Sequence, residues 1–137
     1  MADISVTAAS VLAGADALVE HGNKAGTTIT AGQVLYKDTA DFRLKLSDND
    51  NAAAAVRSFF GMALNGGASG QPISVVKKGQ VTLNAALTKG VVYAVSGTPG
   101  GIAPLADVAS GDDVIILGVA LSTTVLDLQP SVTGVTL

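Results

Sequence analysis

Phe60-Gly-Met-Ala-Leu64 and Leu117-Gly-Val-Ala-Leu121 are near copies of one strand word, and each follows a tyrosine, Tyr36 or Tyr93, at the same interval. Upstream of each tyrosine, Thr30-Ala-Gly-Gln-Val-Leu-Tyr36 aligns with Thr88-Lys-Gly-Val-Val-Tyr93, with Gln33 the one inserted residue. Downstream, both segments close on similar words, Gly79-Gln-Val-Thr-Leu83 and Gly134-Val-Thr-Leu137. Three blocks in one order favour an internal duplication over coincidence, although Gly, Ala, Val and Leu match cheaply. The chain then divides into an N-terminal arm with a first hairpin (1–26), one β repeat (27–84) and a second (85–137), all within one compact domain.

Short β-branched, aromatic or alternating runs predict strands at 34–36, 42–46, 59–64, 73–76 and 81–83, then at 91–95, 102–104, 114–121, 125–128 and 135–137. Gly, Pro, Asn, Asp and Ser punctuate the gaps, and residues 17–21 followed by the turn at Gly22–Gly26 read as a hairpin arm. The fold class is all-β: duplicated barrel- or sandwich-like repeats with an extended N-terminal arm and one short helix. That helix is expected at Asp48-Asn-Asp-Asn-Ala-Ala-Ala-Ala-Val-Arg57, where Asp or Asn can cap an alanine run.

Side chains alternate along a strand. Phe60, Met62 and Leu64 therefore oppose Gly61 and Ala63, while Leu117, Val119 and Leu121 oppose Gly118 and Ala120. A face without bulk lets another backbone approach. Tyr36, Gly61, Ala63, Tyr93, Gly118 and Ala120 are accordingly expected to pack the copies about a pseudo-two-fold axis, the rival use being a subunit interface.

Composition excludes whole classes of function. Charged residues are 14% against 48% hydrophobic, mean hydropathy is +0.48, and no apolar run reaches the roughly 18 residues of a spanning helix. The first residues lack the basic and apolar regions of a secretory signal, so a mature, soluble chain is expected. Cys 0 removes disulfides, thiolate nucleophiles and cysteine metal sites. A net charge of −3 opposes nucleic-acid binding. All 8 Lys and Arg lie between Lys24 and Lys89, flanked by ends carrying acids alone. That pattern reads either as scattered solvated charge or as complementary patches that steer subunits together.

His21 has no Gly-x-Ser-x-Gly elbow to serve and reads as an exposed turn-flanking residue. Asp48-Asn-Asp-Asn51 resembles the opening of a calcium loop, but Ala53 replaces the sixth-position glycine and Phe59 the twelfth-position glutamate, so helix capping is preferred. Asp112-Asp113 reads as a solvated turn. Gly66-Gly-Ala-Ser-Gly70 and Gly97-Thr-Pro-Gly-Gly101 read as hairpin turns, not phosphate cradles. No cofactor, metal or enzymatic activity is expected. Residues 2–12 have no counterpart in the second copy and read as an arm able to add to a sheet edge.

The words Ile29-Thr-Ala-Gly-Gln-Val-Leu-Tyr-Lys-Asp38, Gly61-Met-Ala-Leu-Asn-Gly-Gly-Ala-Ser-Gly-Gln-Pro-Ile-Ser-Val75, Gly79-Gln-Val-Thr-Leu83, Thr98-Pro-Gly-Gly-Ile-Ala-Pro-Leu-Ala106 and Leu117-Gly-Val-Ala-Leu121 resemble small head-region structural proteins of tailed bacteriophages, the capsid decoration (cement) family. The resemblance covers roughly residues 25–130 and implies a protein made in the host cytoplasm that ends on the capsid exterior. It implies the major capsid protein as partner, commonly with the decoration protein as a homotrimer at three-fold positions, and no nucleic-acid or membrane partner. With that reading, Ala2, Asp3, Ile4, Ser5, Val6 and Thr7 become the candidate contacts to the shell or a neighbouring subunit. The alternatives are another virion part, such as a tail-fibre or head–tail module, and more remotely a hydrolase or lyase.

Overall fold

The computed structural model describes residues 3–83 and 87–137, so the repeat boundary at 84–85 lies outside the described residues, as does Ala2. Ten strands follow in order: β1 (Leu12–Ala13), β2 (Leu18–Lys24), β3 (Val34–Lys37), β4 (Leu44–Leu46), β5 (Gly61–Ala63), β6 (Pro72–Thr82), β7 (Val92–Val95), β8 (Ile102–Pro104), β9 (Asp113–Ala120) and β10 (Val125–Thr136). The fold is all-β, a curled antiparallel sheet. No described helix is long and apolar enough to cross a membrane.

Strand order along the sheet is β4-β3-β5-β6-β10-β9-β7-β8. Read outward from the β6–β10 seam, each half runs through its last, third, first and second strand. Corresponding turns open the halves: Gln33 N–H donates to the Thr30 carbonyl and Val91 N–H to that of Thr88, with Gly32 (φ 90°) and Gly90 (φ 85°) taking the left-handed position. The halves are joined edge to edge by Val125, Leu126, Asp127 and Leu128 pairing with Thr82, Val81, Gln80 and Gly79.

One core spans that seam. Val34, Met62, Val76, Val81 and Leu83 pack with Tyr93, Ile115, Leu117, Leu126 and Leu128 in a single cluster. A second, smaller core lies within the first half, where Leu35, Leu44, Ala63, Ile73 and Val75 meet Ala25 and Ile29. Phe60 packs against this smaller core, with the Lys77 ammonium 3.6 Å from its ring centroid. The ammonium lies over the face of the ring, a cation–π contact.

Several sequence expectations change. Residues 48–58 form turns instead of a helix. Asn49 is fully buried, its N–H donating to the Ser96 carbonyl and its Nδ2 to that of Val95, and these long-range bonds outweigh the short alanine run. No turn forms at Gly22, because β2 continues to Lys24 against β6. Strands expected at 73–76 and 81–83 are one strand, and those at 125–128 and 135–137 are another. The closing words are not equivalent: Val81 and Leu83 are buried, whereas Val135 and Leu137 are exposed.

Ion pairs brace turns, with Lys45 shared between Asp38 and Asp41. Lys45 Nζ lies 2.6 Å from Asp38, and Arg57 Nε donates to Asp113 at 2.8 Å. Lys45 and the Ala40 N–H hold the Asp38 carboxyl below its usual range, as the Thr136 hydroxyl and Arg57 do for Asp113. A depressed folded pKa stabilises above the ordinary carboxylate pKa, and that contribution is lost as pH falls through the folded value. The melting-temperature gap between wild type and an Asp38→Asn, Asp113→Asn double variant is therefore expected to be open at pH 7 and to shrink as the pH is lowered beneath the ordinary carboxylate range in differential scanning calorimetry.

Candidate interaction surface

β10 leaves the core halfway along its length. Leu126 and Leu128 are buried between β6 and β9, but residues 129–136 are all exposed. Pro130 has no N–H to continue the β6 ladder, and β6 pairing ends at Leu128↔Gly79. Beyond it the strand is held from the β9 side alone, by Ser131↔Ile116, Val132↔Ile115 and Thr136↔Asp113. Two side chains fix its end: the Thr133 hydroxyl donates to the Val114 carbonyl at 2.6 Å and the Thr136 hydroxyl to Asp113 at 2.7 Å. Residues 129–137 carry no charged side chain. Val132, Val135 and Leu137 are each more than half exposed. Natural sheet edges are commonly guarded by charge. This one has no charge and is interrupted instead by Pro130 and by register shifts at 128–131 and 132–136.

A second projection is the β3–β4 tip. Phe42 is 69% exposed and has φ 57°, the one positive φ outside glycine among the described residues. Asp38 and Asp41 impose it by accepting from the Ala40 and Arg43 N–H groups. An aromatic held in this conformation is unusual.

The arm lies on its own chain. Ile4 and Val6 pack against the shared core, Ile4 N–H donates to the Ile102 carbonyl at 2.9 Å, and the Ser96 hydroxyl donates to the Asp3 carboxylate at 3.0 Å. A cavity of about 310 Å³ lies between the arm and residues 30–33 and 98–102. Of the sequence-predicted contact residues, Asp3, Ser5 and Thr7 are exposed, while Ile4 and Val6 are half-buried in cis.

The residues expected to pack the copies together separate into three settings. Tyr93 and Ala120 lie in the shared core, where the Tyr93 hydroxyl accepts from Thr88 N–H at 2.9 Å. Ala63 belongs to the smaller core, Gly61 faces Val75, and Tyr36 is buried opposite Lys45 with its hydroxyl pKa raised chiefly by burial. Gly118 sits in a bulge, since Tyr93 pairs with Gly118 but Ala94 with Ile116. The bulge resets the alternation, so Leu117 and Ala120 both face the core and Leu121 turns outward. The copies therefore meet at the seam and not through faces of small residues.

Of the candidate chemical groups, His21 Nδ1 lies 2.7 Å from Ser74 Oγ on the exposed side, but the neighbouring Glu20 carboxylate is engaged by Asn23. Asp112 is buried and accepts from Ala109 N–H. Burial, and then contact with Asp50, push the Asp48 carboxyl up to about 6. Sequence reasoning missed both the exposed tail of β10 and this buried acid; an uncharged terminal segment was the one available signal. Comparison with known proteins finds no family model that matches this chain and no curated protein similar to it.

Proposed function

We propose that this chain is a decoration protein of a tailed-phage head, which docks on the outer surface of the assembled shell through the major capsid protein, as a homotrimer, and reinforces it. The observation that carries this reading is the second half of β10: an exposed, uncharged strand end held from one side only. Such an edge can be completed by an extended segment of another chain, through main-chain bonds and the fit of alternate side chains. A charge-poor chain of 14% DEKR supports an assembly role, because large uncharged surfaces suit permanent contacts. The word-level resemblance to head-region proteins adds the shell as the surface concerned.

Purified protein mixed with empty capsids and pelleted is expected to co-sediment, with light scattering giving a mass near three times 13.5 kDa free or once capsid is added. Val132→Asp and Val135→Asp change exposed residues and are expected to keep the wild-type circular dichroism spectrum while capsid occupancy drops about tenfold or more. Wild-type protein that stays in the supernatant, or aspartate variants that bind as well as wild type, would remove the proposal.

A further inference from the structure

We infer that the loop at residues 48–50 holds a hard divalent cation, Ca²⁺, between the carboxylates of Asp48 and Asp50, with Asn49 Oδ1 as a third oxygen donor. Asp48 and Asp50 flank Asn49 in one tight loop, closed by the Asp50 N–H donating to Asp48 Oδ1 at 3.2 Å. Like charges held close together are unfavourable unless a proton or a cation lies between them.

The independent observation is the amide between them. Asn49 is fully buried, and its Oδ1 has no hydrogen-bond partner. Its orientation is fixed, because Nδ2 donates to the Val95 carbonyl at 2.9 Å and a flipped amide would lose that bond. Buried polar atoms without partners are rare, and an ion is one of the accepted reasons for them.

Two of these oxygens, from Asp50 and Asn49, border a space that a glycine keeps open. A side chain begun at Gly97 would have its Cβ 3.2 Å from Asp50 Oδ2 and 3.5 Å from Asn49 Oδ1. Gly97 is not in a left-handed conformation, so a positive φ is not what calls for glycine there.

Chemistry selects the metal. Two carboxylates and an amide oxygen form an oxygen-only, irregular set that water can complete, which suits calcium better than the strictly octahedral magnesium. Among the described residues no three acidic, imidazole or thiolate side chains group around a metal, so affinity belongs at the weak end, about 10⁻⁴ to 10⁻³ M. The ion would act as a staple. The Asn49 backbone bonds both Ser96 and Asp113 of the second half, so ordering this loop ties the halves together.

The test is a calcium titration of the intact chain by isothermal calorimetry, with melting temperatures in about 10 mM CaCl₂, in MgCl₂ and in EDTA at matched ionic strength. Wild type is expected to release saturable heat with calcium and to melt about 5 °C higher than in EDTA, with a smaller gain in magnesium. Asp50→Asn, at an exposed position, and Gly97→Ala, which fills the space and keeps every carboxylate, are each expected to lose the calcium gain while melting normally in EDTA. Absence of heat and of any shift in wild type overturns the inference. So does an undiminished calcium gain in folded Asp50→Asn.

Discussion

Replacing Gly118 with alanine is expected to destabilise the protein by about 3 kcal/mol or more, at the top of the range for overpacking. Tyr93 and Leu128 both pair with this residue, one on each neighbouring strand, so β9 is locked from two sides. A Cβ there would overlap the Asp127 carbonyl oxygen and lie 2.9 Å from the Asp127 carbonyl carbon. These are backbone atoms of β10, which β6 holds from the far side, and they cannot rotate away. Gly61→Ala is the control: its Cβ would meet the Val75 side chain at 2.7 Å, in a strand with no bulge at that point. Thermal unfolding is expected to fall by about 10 °C or more for Gly118→Ala and by clearly less for Gly61→Ala. Equal losses would mean that the bulge is not what demands glycine.

This pair of glycines shows what sequence could and could not reveal. Their equal spacing from Tyr36 and Tyr93 marked the duplication, because local words survive copying. The strand order common to both halves, and the short turns at Gly32 and Gly90, follow from those words. Which face each residue takes does not. A bulge is a relation between two strands far apart in sequence, so the alternation at 117–121 reads as regular until β7 is laid beside it.

The same limit explains β6. Lys77-Lys78-Gly79 carries turn residues, yet the strand passes through them, because Gly79 at φ 100° receives the backbone of Ala17: a Cβ would lie 2.7 Å from Ala17 Cα. The glycine serves a close approach there and not a break. At 48–57 the local signal for a capped helix was real, but the side chain of Asn49 reaches into the core. Helix capping and burial use the same polar atoms, and only the fold decides between them. The two closing words take different settings for the converse reason. Gly134-Val-Thr-Leu137 repeats the letters of Gly79-Gln-Val-Thr-Leu83, but Pro130 has already taken β10 off the seam.

The seam itself carries the second large effect. Leu126 is fully buried, paired with Val81 of β6 on one side and Ala120 of β9 on the other, within the core that both halves share. Truncation to alanine removes buried methyl groups and leaves a cavity that two bonded neighbours cannot close, so Leu126→Ala is expected to cost about 2 to 5 kcal/mol. Because the core is shared, the loss should appear in both halves at once. The chain supplies its own reporters, having 2 tyrosines, one in each half, and no tryptophan. Tyrosine fluorescence of Tyr93→Phe reads the first half, and that of Tyr36→Phe the second. With Leu126→Ala added to each, the two melting curves are expected to shift down together and to coincide, as a single cooperative unit requires. Curves that separate, with the first half still folded after the second has melted, would show that β6 and β10 join two independently stable units.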